Sequence, residues 1–153
     1  IWESRSMDDG KTWADPKPSA LVHPDAPPMV FHLSDDKTLI AFHHNRHINT
    51  QYVGLTGKMD GMRDRAEIWI SLSKDGGRNW SEPQFLFTNV TRFNPAKNGW
   101  FNHNSSYMDA VIDGGTIHLF LPHLWNRALY MHLEEKDLAK LPTAQKLARR
   151  LAK

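Results

Sequence analysis

The chain has 153 residues, enough for one ordinary domain, and its 40% hydrophobic content with nine Gly and nine Pro is that of a folded, turn-rich protein. The net charge is only +2, and the basic side chains form no stripe outside the last few residues, which argues against a nucleic-acid partner. Absence of cysteine excludes disulfide and thiolate chemistry, and no apolar run approaches the ~18 residues that a membrane helix needs.

In chain order, residues 1–5 read as a strand and 6–13 as its turn. Prolines break residues 15–20, with a short edge strand expected at 19–22. A loop at 23–27 precedes a strand at 29–33, a turn at 34–37 and a strand at 38–42. A long irregular loop, with Gly54, Gly57 and Gly61, spans 43–64. In residues 67–72, Ile68, Ile70 and Leu72 alternate with Trp69 and Ser71, the period of a strand. A turn at 73–80 and an outer strand at 84–88 follow, then a second long loop, 89–106, rich in Asn, Gly and Pro. Strands at 108–112, 116–121 and 127–133 are separated by an Asp-Gly-Gly turn at 113–115 and a loop at 122–126. From Glu134 the pattern changes: Thr143 caps a short helix with Leu147, Ala148 and Leu151 on one face and Lys146, Arg149, Arg150 and Lys153 elsewhere. The chain thus divides into a strand-rich segment, 1–133, and a partly helical, solvated or frayed tail, 134–153.

One octet organises the strands. Ser73, Asp75, Gly77 and Trp80 recur as Ser6, Asp8, Gly10 and Trp13 at the same spacing, and the flanks Ile68-Trp69, Ser71 and Pro83 match Ile1-Trp2, Ser4 and Pro16 at the same offset, 73 − 6 = 67 residues. Glycine reaches positive φ without steric cost, the aspartate accepts exposed turn N–H groups, and the tryptophan supplies an apolar plate for a neighbouring sheet. Two octets in one frame indicate repeated structural units. Residues 33–42 also line up with 111–120. Strand, tight turn, strand, long loop, strand, tight turn, outer strand describes a four-stranded antiparallel blade, and radial repetition of such sheets makes a β-propeller. The fold class expected is therefore all-β: about two and a half blades of a propeller with a short C-terminal helix. A lone antiparallel sandwich is the alternative. Such a segment leaves a raw sheet edge unless remaining blades or a second copy cover it, so poor stability alone is expected. The chain opens without Met inside a repeat and reads as a piece of a longer protein, whose start would carry any signal peptide.

In an antiparallel blade, connections alternate between two ends. Parity puts the tight Asp/Gly turns at one end and the long loops at the other, where function usually sits. His23, His43, His44, Arg46, His47, Arg63, Arg65, His103, Tyr107, His123 and Arg127 gather at the long-loop end. Arg65, just ahead of a strand, is well placed to clamp a carboxylate. The run His43-His44-Asn45-Arg46-His47 lacks regular metal-ligand spacing, and no metal or cofactor is expected. His32, His118 and His132 fall inside strands and read as packed or edge residues.

The octets resemble the Asp-boxes of the sialidase (neuraminidase) superfamily, whose bacterial repeats form a six-bladed propeller. Residues 1–133 are similar to the C-terminal part of one. In that family an arginine eight residues before the Ser of a late Asp-box grips the sialate carboxylate, and Arg65 stands 73 − 65 = 8 before Ser73. The next blade carries a tyrosine at the start of its first strand, ahead of an Asp-Gly turn, as Tyr107 stands before Asp113-Gly114. The resemblance implies that Tyr107 is the nucleophile, a tyrosine suiting an anionic sugar better than a carboxylate does. It implies further anion contacts at Arg46 and Arg127, with His44, His47 and His103 lining the rim. It also implies an extracellular or periplasmic setting. The sequence departs from the family in a tighter Tyr-to-turn spacing and a His-rich rim. The family's other arginines, acid Asp and activating Glu belong to blades before this segment. Three functions follow: an exo-α-sialidase-type glycoside hydrolase acting on sialylated or other acidic glycans, a propeller polysaccharide lyase using His and Tyr on uronates, or a non-catalytic carbohydrate-binding propeller.

Overall fold

The computed structural model describes residues 1–23, 26–45, 51–54, 57–60, 65, 67–88, 105, 107–123 and 127–151, with backbone alone for 51–54, 57–60, 123 and 148–151. Strands β1 (Trp2–Glu3) and β2 (Lys17–Pro18) pair antiparallel. Strands β3 (Met29–His32) and β4 (Leu39–His43) follow, then a separate hairpin of β5 (Gln51–Gly54) and β6 (Gly57–Asp60). Next come β7 (Glu67–Ser73) and β8 (Gln84–Thr88). The central sheet has the antiparallel order β3–β4–β7–β8, one complete blade. Strands β9 (Asp109–Asp113), β10 (Thr116–His123) and β11 (Arg127–Glu134) form a third antiparallel sheet in the order β11–β10–β9. Two strands, four strands and three strands make an open stack of blades among the described residues rather than a closed ring.

Alternation alone predicts one buried face for β7, yet both of its faces are covered. Ile68 and Ile70, with Leu33, Ile40 and Phe42, meet Ala110, Ile117, Leu119 and Leu121 of the third sheet in one core. On the opposite face Ser71 is wholly buried and bonded to His43, while Trp69 is 6% exposed and packs edge-on against Phe85. Each large apolar side chain taken from water this way contributes about 1.5–3 kcal/mol, so the central blade is held from both sides.

The 67-residue repeat is visible as pairing. Trp2 faces Pro18 and Glu3 faces Lys17; adding 67 gives Trp69 facing Phe85 and Ile70 facing Gln84. Inside the octets the hydrogen bonds repeat too. The Ser6 hydroxyl donates to Asp8 (2.8 Å) and accepts from Gly10 N–H (2.7 Å), while Asp8 accepts from Thr12 N–H (2.9 Å). The Ser73 hydroxyl donates to Asp75 (2.8 Å) and accepts from Gly77 N–H (2.8 Å), while Asp75 accepts from Asn79 N–H (2.9 Å). Gly77 has φ +80°, and a Cβ there would come 3.3 Å from the Trp80 ring, so both backbone and packing demand glycine. Arg5 Nη1 donates to the Gly76 carbonyl at 2.7 Å and stitches the first blade to the second octet.

Several expectations need correction. The edge strand expected at 19–22 forms instead at Lys17–Pro18, because pairing with Trp2–Glu3 sets the register. The first strand is shorter than residues 1–5. The stretch 43–64, read as irregular loop, contains the β5–β6 hairpin. The tail is not merely solvated: a 3-10 helix (Glu135–Lys140) buries Leu138 in the core. Phe85 N–H then donates to the Pro142 carbonyl at 2.8 Å, covering the outer edge of β8. Helix α1 (Ala144–Leu151) is capped by Thr143, whose hydroxyl accepts from Lys146 N–H at 3.4 Å while its carbonyl takes the first helical bond, from Leu147 N–H at 3.0 Å. What stands open is a sheet face rather than that edge: Val111, Phe120 and Tyr130 are exposed on the outer side of the third sheet.

Candidate anion-binding site

Arg65 lies two residues before β7, and Tyr107 two residues before β9. Ser105 N–H donates to the Arg65 carbonyl at 2.9 Å, so the approaches to two adjacent blades are tied where these side chains emerge. Met108, 2% exposed, anchors the chain just after Tyr107 in the core. Tyr107 itself is 59% exposed and has φ +65°, a left-handed conformation that costs a non-glycine residue roughly 1–3 kcal/mol. Arg65 and Tyr107 line one cavity of about 610 Å³ with Ile1, Trp2, His23, Ala26, Pro27 and Pro28. That volume suits a small polar molecule such as a monosaccharide. Among the described lining residues Arg65 supplies a guanidinium. A guanidinium beside apolar walls is a chemistry suited to a carboxylate-bearing ligand. The octet aspartates are remote: the seven residues of β7 separate Arg65 from Asp75, a rise of roughly 23 Å.

Beneath the cavity lies a buried polar floor. His43, His44, Ser71 and Ser105 are wholly buried and Glu67 is 2% exposed. His43 bonds through Nδ1 to the Val22 carbonyl (3.2 Å) and through Nε2 to Ser71 Oγ (3.0 Å). His44 Nδ1 donates to the Glu67 carbonyl at 2.8 Å, and the His44 N–H donates to His23 Nδ1 at 3.1 Å. The His23 and His44 rings stack at 5.1 Å. Trp69 Nε1–H donates to the Glu67 carboxylate at 3.1 Å. Four of the imidazole nitrogens are thus engaged with protein groups, and among the described residues no cluster of His, Asp or Glu is arranged to hold a metal.

Burial, with the nearby His44 and His43, pushes the His23 pKa down to about 3. Burial likewise lowers His43 to about 4, against the opposing pull of the Val22 carbonyl. Both values lie below the ordinary 6.5, so the unfolded chain binds more protons and stability rises with pH between the two limits. Stability is therefore expected to hold above pH 6.5 and to fall as pH drops from 6.5 towards 4. The octet carboxylate Asp75, lowered to about 2 by its Asn79 N–H bond first, loses its contribution only below its ordinary 3.8, as pH falls towards 2. The two windows overlap only between about 3 and 3.8, so the loss between pH 6.5 and 4 belongs to the histidines. Denaturant midpoints at pH 7, 5.5 and 4.5 that do not decline would contradict the histidine contribution.

The sequence-derived candidates are distributed unevenly. Arg65 and Tyr107 come together in the cavity. His44, expected on the rim, lies under it with no exposed surface, because its ring is drawn to the Glu67 carbonyl. Arg127 is exposed at the start of β11, on the same end of the sheets but outside the cavity lining. Arg46, His47 and His103 lie outside the described residues, as does Arg63. His23 and the 26–28 wall received no individual role from sequence; strand parity, which places the residue-23 loop at this end, was the available signal. A family description, the BNR repeat-like domain, matches residues 1–119. No curated protein and no solved structure matches the chain.

Proposed function

Because this chain belongs to the BNR repeat-like domain family, we propose that it contributes the anion clamp and nucleophile of a sialidase-type glycoside hydrolase acting on a terminal acidic sugar. The observation that carries this is the pairing of Arg65 with Tyr107 on one cavity of about 610 Å³. Arg65 receives the sugar carboxylate in a two-pronged hydrogen bond. The Tyr107 oxygen attacks the anomeric carbon, forming a C–O bond as the glycosidic C–O bond breaks, and water later releases the sugar. A phenol is neutral when protonated and approaches an anionic sugar without the repulsion of a second carboxylate. Deprotonating Tyr107 and protonating the leaving oxygen fall to groups other than these two.

A uronate lyase would need histidines free for proton transfer on the rim. Of the histidines counted towards that rim, His43 and His44 are instead spent on buried hydrogen bonds, which weakens that alternative. A fluorogenic N-acetylneuraminic acid glycoside and an unlabelled polyuronate, each incubated with the full-length protein, separate the classes. Release of the fluorophore is expected. An ultraviolet-absorbing unsaturated product would instead establish a lyase, and saturable binding without product a binding module.

A further inference from the structure

Four segments that share no sequence neighbourhood converge at the cavity. The connector after β2 carries His23 and, three to five residues on, the wall residues Ala26, Pro27 and Pro28. His44 follows the end of β4, and its N–H meets His23 Nδ1 at 3.1 Å. The same His44 donates through its own ring to the Glu67 carbonyl at 2.8 Å, two residues beyond Arg65. Arg65 in turn accepts from Ser105 N–H, two residues before Tyr107. Three hydrogen bonds, joined by short stretches of chain, therefore connect the cavity wall, through one imidazole pair, to the clamp and the phenol.

We propose that His23 is a positioning residue for this cavity: its Nδ1 lone pair, by holding the His44 amide, fixes the 26–28 wall relative to Arg65 and Tyr107. The chemistry of that bond is specific. An imidazole nitrogen that accepts an N–H carries no proton, so the neutral His23 ring must hold its proton on Nε2. The parallel stack on His44, with 16° between the ring planes, gives the imidazole its orientation. The lone pair and the ring stack can be tested separately. Asparagine places Oδ1 close to where Nδ1 stands and keeps the acceptor; phenylalanine keeps a stacking ring and removes it. The ligand aspect rests on the acidic-sugar site proposed above; the hydrogen bond does not.

The test compares the full chain with His23→Asn and His23→Phe, using amide hydrogen exchange at His44, imidazole nitrogen NMR shifts, and binding of N-acetylneuraminic acid. The wild type is expected to show a single Nε2–H tautomer for His23 and a slowly exchanging His44 amide. His23→Asn should keep the protected amide and bind within about 3-fold of wild type, whereas His23→Phe should expose the amide and weaken binding by about 10-fold or more. If His23→Phe fails to fold, His23→Gln, which lacks an acceptor at the Nδ1 position, takes its place with the same expected loss. Wild-type binding with an exposed amide would overturn the proposal, as would equal loss in the Asn variant with the amide still protected. A wild type that binds no acidic sugar would sink the sialidase-type site. In that case a fast-exchanging His44 amide or an Nδ1–H tautomer would overturn the positioning bond, while the Nε2–H tautomer with Asn-specific protection would support it.

Discussion

Replacing Tyr107 by Phe is expected to lower kcat on a sialoside by at least about 1,000-fold while leaving binding within a few-fold of wild type. The substitution removes one oxygen, the atom proposed to bond the anomeric carbon, and leaves the ring that lines the cavity. Arg65 remains to hold the carboxylate, so recognition survives when chemistry does not. The backbone strengthens the expectation: the tyrosine is 59% exposed and held at φ +65°, a strained conformation of the kind that clusters at functional sites. Steady-state kinetics and calorimetric binding on the same protein separate the two effects. Full turnover by the Phe variant would remove Tyr107 from the reaction, and equal loss of binding would make its role structural.

Phe42→Ala is expected to be the most damaging single truncation of the fold, costing about 3–5 kcal/mol and roughly 10 °C of Tm. Phe42 has no exposed surface, meets Phe31 edge-on at 6.1 Å between ring centres, and belongs to the core shared by the central and third sheets. Removing its ring leaves a cavity between two sheets that other elements hold apart. The repeat supplies a control. Residue 42 + 78 = 120 is also phenylalanine, one blade later, but Phe120 is 44% exposed on the outer face and touches Tyr130 at 5.4 Å. Phe120→Ala is therefore expected to cost under about 1 kcal/mol. Thermal unfolding of both variants decides the matter. A cost at Phe120 equal to that at Phe42 would mean that a further layer covers the outer face.

The same comparison shows where local pattern stops being informative. Trp2 and Trp69 occupy equivalent repeat positions with equivalent cross-strand partners, yet Trp2 is 69% exposed and Trp69 6%. Their neighbours differ at Glu3 and Arg5 against Ile70 and Leu72, but those side chains alternate onto the other face of the strand. The difference is a neighbouring blade, which a local window does not contain. His44 is another instance. A histidine at a strand end beside a long loop reads as a rim group, and it became a floor group because the Glu67 carbonyl, 23 residues away, lay within reach of its ring. The short strand after the first octet slipped to Lys17–Pro18 for a similar reason, its register being set by a partner strand rather than by its own composition.

Sequence alone determined the octets and the sorting of chain ends. Ser, Asp, Gly and Trp close their hydrogen bonds within eight residues, so their geometry needs no distant partner, and antiparallel connection parity follows from the order of turns and loops. That was enough to bring Arg65 and Tyr107 to one end. Only the tertiary structure decided how deeply each group sits, which histidines are consumed as scaffold, and that His23 joins the wall of the cavity. Burial and hydrogen-bond partnership depend on surfaces supplied by residues tens of positions away, and those surfaces exist only once the sheets have stacked.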